Sequence, residues 1–463
     1  MENDNKYVEK IGVGEKLAYG SGDLASNLVL VLTGTFITFF YTDALGLNVA
    51  IVGTLVLVSR ILDGISDVFM GFIMDKTKSK HGKARPWMLW LAIPFGISTV
   101  LLFTVPNLGD VGKYIYVFLT YNINTTFLYT AINIPYGALN SLMTRDQDQR
   151  ANINIFRMVM AQVGGLAINA FTMPLINTVG GSTNQLAWVI VSCIYGVAAA
   201  LLFLLCFFNT KERVNIATPA DKQIGFGKTL KLLFQNKYWL IICGIWIVSV
   251  LGMSIGGTVG VYYAKYILSD ESLFGYLYVV EAGTSLVLMM TAIMPLIKKF
   301  GKRNVAFVGS IISLIGQILM LVNPTSVSWL VFCFVVKGFG SAPLMGTLFA
   351  MVADTIEYGE WKTGTRIEGM LYSATTFGAK VGGGLGMVIA TTILGSAGYD
   401  GTLITQSAPA LQAISNLYLI APIIFLALVP ILYWFYGLDK QYPQIMKDLE
   451  KREANSKRKV KNA

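Results

Sequence analysis

Long apolar stretches alternate with short polar gaps along this chain, and the stretches are too long and too continuous to be strands. Runs suited to helices cover residues 17–42, 49–74, 86–104, 114–143, 153–179 and 186–208. After a polar segment at 209–236, six more follow at 239–266, 272–297, 304–321, 328–351, 370–394 and 416–436. About twenty apolar residues cross a bilayer as a helix, so the pattern predicts twelve membrane spans. A transmembrane β-barrel would instead alternate apolar and polar positions. The expectation is an all-α membrane protein with twelve helices in two six-helix bundles. Residues 1–208 form the first bundle, 209–236 a cytoplasmic linker, 237–438 the second bundle and 439–463 a basic cytoplasmic tail.

Composition agrees: 54% of residues are hydrophobic and 13% charged, about half the charge of soluble domains. The net charge of +10 sits in the gaps between apolar runs rather than on a foldable basic unit, which argues against nucleic acid. Lys76, Lys78, Lys80, Lys83 and Arg85 follow the second run, and Lys298, Lys299, Lys302 and Arg303 the eighth. The alternate connections near 43–48, 180–185, 322–327 and 395–415 hold no Lys or Arg. By the positive-inside rule both termini are expected in the cytoplasm of a bacterial-type cell. The tail is expected to be disordered and solvated. Cys193, Cys206, Cys243 and Cys333 lie in apolar runs without paired spacing, so neither a disulfide framework nor a metal site follows.

The chemistry begins in the second run, where Arg60, Asp63 and Asp67 interrupt an apolar helix. Residues four apart share a helix face, so both carboxylates point the same way, with Arg60 beside them. Acids at bilayer depth usually face a protein interior or water and carry function. Two on one face offer four oxygens to a hard cation such as Na⁺, or a proton site. The alternative is a static Arg60–Asp63 pair, which leaves the second acid uncompensated.

Lys380, deep in ATTFGAKVGGGLGMVIATT, needs a carboxylate or a cavity, and Asp63 or Asp67 is its expected partner. Arg157 either snorkels or binds a polar ligand. Tyr129, Thr130 and Asn133 precede Pro135 on one helix, where they can bond sugar hydroxyls, supply an ion oxygen or tie helices together. A weak repeat pairs Gly82-Lys83 with Gly301-Lys302, 219 residues apart, and places Glu281 near the position of Asp63. Glu281 is thus a coupling candidate or a polar contact. Residues 351–370 are expected as a charged cytoplasmic segment in which Asp354, Glu357 and Glu360 pair with Arg150, Arg366 or the first basic loop when that side closes, or else stay solvated.

The motifs KLAYGSGDLASN, YTDALGL, SRILDGISD, HGKARPW, AINIPYGAL and ADTIEYGEWKTGTRIEG occur in this order. With them the chain resembles the glycoside–pentoside–hexuronide:cation symporters of the major facilitator superfamily, from about Lys16 to the last helix. The resemblance implies that Asp63 and Asp67 bind a coupling Na⁺, Li⁺ or H⁺, with oxygens from Thr130 and Ser66 and with Lys380 close by. It implies a sugar site at Asn27, Tyr129, Asn133, Arg157 and Thr376. The chain departs from melibiose-type carriers at Asn27 and Asn133, where those have aspartates, and at Gly137, where they have tryptophan. That weakens a galactoside reading and leaves a hexuronide or a pentoside such as a xyloside.

The resulting expectation is a secondary active transporter, with coupling by Arg60, Lys380, Glu281, Arg150, Asp354, Glu357, Glu360 and Arg366. Its partners are a glycoside, a cation and the bilayer; no cofactor and a monomer are expected. An exchanger or a transporter-like sensor is the alternative. A membrane-embedded glycosyltransferase is disfavoured because the one histidine, His81, lies in a basic loop and no large polar domain is present to hold an acid–base site.

Overall fold

The computed structural model describes residues 11–77, 79–144, 147–213, 231–364 and 368–461. Among them no strand occurs. The helices of the first half of the chain are α1 (Val13–Phe39), α2 (Val49–Lys76), α3 (Arg85–Phe103), α4 (Asp110–Tyr121), α5 (Tyr129–Met143), α6 (Gln147–Val179) and α7 (Gln185–Asn209). The second half holds α8 (Lys237–Tyr266), α9 (Ser272–Thr291), α10 (Ile293–Phe300), α11 (Lys302–Leu319), α12 (Val327–Thr363), α13 (Glu368–Ser396), α14 (Ala408–Ser415), α15 (Ala421–Phe435) and α16 (Leu438–Lys461). π-helical segments lie at Phe40–Ala44, Asn122–Leu128 and Asn416–Ile420. The second of them joins α4 and α5 into one continuous rod.

Among the described residues, nine helices are long and apolar enough to cross a membrane. The outward face of α7 shows why they need lipid. Leu186, Ile190, Ile194, Val197, Leu201, Leu205 and Phe208 recur at helical spacing and are all exposed, a stripe that water would penalise and acyl chains accept. The protein is an integral membrane protein.

By contacts the chain forms two units, one of residues 1–219, 257–279 and 387–414, the other of 220–256, 280–386 and 415–463. In the first, α1 packs along α6 and α7, and α3 along α7. Gly96 and Gly196 face each other so closely that a Cβ on either would lie 2.6 Å from the other's carbonyl oxygen, so only glycine permits this crossing. In the second, α11 packs on α12 and α15, and α16 on α12.

The repeat glimpsed in the sequence has a structural counterpart inside each unit. In the first, the Glu212 carboxylate accepts the backbone N–H groups of Lys83, Ala84 and Arg85, each at 2.9 Å, capping α3. Arg85 Nη2 donates to Phe207 O at 2.7 Å. In the second, Asp439 accepts the N–H of Arg303 at 2.9 Å. Arg303 donates to the carbonyls of Tyr433 and Trp434, both at 3.0 Å. Gly82 and Gly301 turn with φ of 101° and 82°, which glycine alone adopts readily. In each case an arginine and an acid lash the loop before one helix to the end of another.

Three expectations are corrected. Residues 351–363 continue α12 beyond the end expected near 351, and the helix stops only at Gly364, whose φ of 70° is a left-handed cap. The run 272–297 is divided near Ala292 into α9 and the short α10. The tail is helical from Leu438 to Lys461 rather than disordered. Leu438, Ile445 and Leu449 give it an apolar edge that joins a core cluster with Tyr358 and Tyr433. Trp361 Nε1 donates to Asp448 at 3.2 Å, and Arg452 Nη1 to Trp361 O at 2.8 Å.

Candidate functional site

Ser59, Asp63, Ser66 and Asp67 share one face of α2. Opposite them on the α4–α5 rod stand Asn122, Thr126 and Thr130, four residues apart. On a plain α-helix that spacing drifts around the axis, because a turn holds about 3.6 residues. The wider π turn at Asn122–Leu128 offsets the drift and keeps all three towards α2. Asn122 Nδ2 donates to Ser59 Oγ at 2.8 Å, Thr126 Oγ1 to Ser59 O at 3.4 Å, and Ser66 Oγ to Thr126 O at 2.9 Å. These bonds hold the two helices in register.

At the end of this ladder Thr130 Oγ1 lies 3.1 Å from Asp63 Oδ1 and 3.0 Å from Asp67 Oδ1. Asp63 and Thr130 are buried. A hydroxyl carries one proton and can satisfy only one carboxylate at a time. Two acids that converge on one oxygen repel, and a proton, a cation or a neighbouring cationic side chain relieves the repulsion. Arg60, half-buried, is within electrostatic reach of Asp63 and Tyr121. Ser66 Oγ stands 3.4 Å from Thr130 Oγ1 and 2.9 Å from Asp63 O, an alternative acceptor for its one proton, so its hydroxyl positions the site from behind. Two carboxylates and a hydroxyl form an all-oxygen set that fits a hard cation. Among the described residues no group of three or more His, Cys, Asp or Glu side chains is placed to hold a metal ion, so any cation here relies on the two carboxylates with hydroxyl oxygens.

Of the residues expected around a sugar, Asn27 lies on α1, Tyr129 and Asn133 on α5 and Arg157 on α6, whereas Thr376 lies on α13. Gly20 and Gly164 let α1 and α6 approach: a Cβ on the former would meet Phe156 O at 3.1 Å, and one on the latter Asn27 Cβ at 3.1 Å. Between these contacts Arg157 Nε donates to Asp23 Oδ2 at 3.1 Å. The guanidinium lies 5.2 Å from the centre of the Tyr136 ring, which stacks on Tyr19 at 4.8 Å. Asn27 Nδ2 donates to Asp23 O at 2.9 Å. Asn133 Oδ1 is buried without a hydrogen-bond partner. Tyr129 is within electrostatic reach of Asp23 and Arg157 as well as of Asp63 and Asp67, so it lies near both clusters. Gly137, half-buried, has no atom within 4 Å of an added Cβ, so a larger side chain has room there.

In the second unit, Glu281 on α9 pairs with Lys337 on α12 at 3.3 Å. Asp354, buried, receives Lys302 Nζ on both oxygens at 2.6 Å. Tyr442 OH donates to Glu357 Oε2 at 3.4 Å. Glu360 and Lys380 are half-buried, and Thr376 is exposed. Arg366 and the side chain of Arg150 lie outside the described residues.

The first unit holds a further polar cluster. Asp43, buried in the π segment after α1, accepts Lys265 Nζ, Tyr266 OH at 3.0 Å and Tyr399 OH at 2.6 Å. Glu271, in the turn before α9, accepts Ser182 Oγ at 2.8 Å. Burial pushes its carboxyl above the ordinary glutamate range, and the Ser182 bond pulls it partly back.

Sequence reasoning did not single out Asp23, Ser59, Asn122, Thr126, Asp43 or Lys337. The four-residue spacing of Asn122, Thr126 and Thr130, and a lysine inside the apolar VFCFVVKGFG, were signals that could have done so.

Comparison with known proteins identifies the family. Residues 18–440 match the family described as MFS/sugar transport proteins. The chain is 35% identical over 446 residues to the isoprimeverose transporter of Lactiplantibacillus pentosus, covering 95% of this chain and 92% of the relative. It is 32% identical over 447 residues to a putative glycoside/cation symporter of Escherichia coli (strain K12), covering 95% of each. Among solved structures, a bacterial homologue of the human lysosomal transporter Spinster superposes with a TM-score of 0.64 at 16% identity, over 94% of this chain and 97% of that one, a likeness of fold alone. The chain belongs to the MFS/sugar transport family, in its glycoside–pentoside–hexuronide:cation symporter branch, a family of transporters and not of enzymes.

Proposed function

We propose that this protein takes up a glycoside together with a monovalent cation, Na⁺ or H⁺, by alternating access. The observation that carries the reading is the single Thr130 hydroxyl set between the carboxylates of Asp63 and Asp67. Asp63 and Asp67 would hold the cation, with Thr130 as a neutral oxygen and Ser66 fixing the helix–helix register. Binding the cation removes the repulsion between the acids and so favours the arrangement in which they converge. Tyr129, near both that site and Arg157, gives sugar and cation a shared neighbour, which is how one ligand can alter affinity for the other. Asn27, Asn133 and Arg157 supply amide and guanidinium groups for sugar hydroxyls; the orphaned Asn133 Oδ1 is an acceptor that a sugar hydroxyl would satisfy. Thr376 and Lys380 keep the roles that the resemblance implies.

A relative named for isoprimeverose, a neutral xylose-containing disaccharide, supports a neutral pentoside over a galactoside. The basic loops favour both termini in the cytoplasm, the tail included, within the cell (inner) membrane of a bacterial-type cell. Twelve spans and a monomer complete the reading.

The test is a concentration jump of glycoside onto proteoliposomes on a solid-supported membrane, with and without Na⁺ at two pH values. An inward positive current for a neutral glycoside is expected, and its Na⁺ or pH dependence identifies the ion. Bound sugar without current for every neutral glycoside would point to exchange or sensing and overturn the symport reading.

A further inference from the structure

Asp23 lies one helical turn before Asn27, on the same face of α1. Its partner is Arg157, and the pair is largely withdrawn from solvent, with side-chain exposures of 13% and 29%. One negative and one positive charge sum to zero, so this side of the sugar cluster is neutral as long as the two stay paired. Asp23 takes the Nε of the guanidinium, so the contact is not the two-pronged one through the terminal nitrogens. The Tyr136 ring beneath Arg157 and its Tyr19 stack hold the guanidinium plane in place.

Resting on the symport reading, we propose that Asp23 is the residue that sets substrate charge, making the protein select neutral glycosides over hexuronides. A sugar carboxylate that sought Arg157 would have to displace Asp23, which strands a largely buried aspartate, or lie beside it as a second negative charge. A neutral sugar meets neither obstacle: its hydroxyls accept from the guanidinium and donate to the carboxylate, and both protein charges remain compensated. Hydroxyl recognition needs the pair intact, whereas carboxylate recognition needs Arg157 released. The presence of an arginine in the sugar cluster therefore does not by itself point to an anionic ligand.

The experiment is calorimetric titration of the full-length protein in nanodiscs with 4-nitrophenyl xyloside, glucoside and galactoside as neutral probes and 4-nitrophenyl glucuronide as the anionic one. The readout is the ratio of the best neutral affinity to the glucuronide affinity, which is insensitive to a general loss of binding. Asp23→Asn is expected to lower that ratio by about ten- to twentyfold, the effect of one charge about 10 Å away at an effective dielectric constant near 20. Asp23→Glu should keep the wild-type ratio. If Asp23→Asn does not fold, Asp23→Ser replaces it, and failure of both to fold overturns the proposal by making the pair structural. An unchanged ratio in a folded variant, or a wild type that prefers the glucuronide, also overturns it while leaving symport intact. A wild type that binds none of the four sugars would instead sink the symport reading on which the proposal rests.

Discussion

The hydroxyl of Thr130 stands 3.0 Å from Asp67 Oδ1 and 3.1 Å from Asp63 Oδ1. Thr130→Val removes the oxygen and keeps the shape. The cation concentration for half-maximal uptake should rise about five- to tenfold, the effect of losing an interaction of ~1 kcal/mol. Thr130→Ser should stay within about twofold of wild type, since it keeps the hydroxyl. For a proton the same shift appears in the pH of half-maximal uptake. Altered sugar affinity with unchanged cation dependence would remove Thr130 from the cation site.

Lys337 and Glu281 form an ion pair between α12 and α9. Removing one partner of a largely desolvated pair costs about 3–5 kcal/mol, whereas removing both costs much less. Lys337→Met should therefore lower the melting temperature in detergent more than the double variant Lys337→Met with Glu281→Gln. Additive losses in this cycle would mean that the two side chains act independently.

Glu271 supplies the pH prediction. Its carboxyl is raised by burial, ahead of the opposing Ser182 bond and the Lys265 charge, with Asp43 and Asp270 raising it further. A raised carboxyl binds its proton more tightly in the folded state. The stability this contributes is complete below the ordinary glutamate range and is lost as the pH rises through the folded value. Glu271→Gln should match wild type in acid and become relatively more stable towards neutral pH. Parallel melting curves across that range would refute the assignment.

Glu212 caps α3 with three backbone hydrogen bonds, and Asp439 accepts the N–H of Arg303 in the corresponding place. Glu212→Ala should cost about 2 kcal/mol or more, by leaving helix N–H groups unsatisfied. Asp439→Ala should cost about half as much. Thermal unfolding of the purified protein measures both, and a larger loss at Asp439 would contradict the comparison.

Much of this protein was settled by its one-dimensional pattern. Continuous apolar runs force helices, because a bilayer leaves no partner for an unpaired backbone group. The i, i+4 spacing of Asp63 and Asp67 on α2 put two acids on one face before any neighbour was known. Tertiary structure alone decided what those faces meet. The π turn that aligns Asn122, Thr126 and Thr130 has no clear sequence signal, since it arises from packing against α2. The Asp23–Arg157 and Glu281–Lys337 pairs join residues 134 and 56 positions apart, and which acid finds which base depends on helix crossings. The tail was misjudged because its helix gains from an apolar edge docked on Tyr358 and Trp361, a gain invisible in a charged segment read alone. Periodicity determines which side of a helix is polar; only the close approach of helices, at glycines such as Gly20 and Gly164, decides which polar groups share a site.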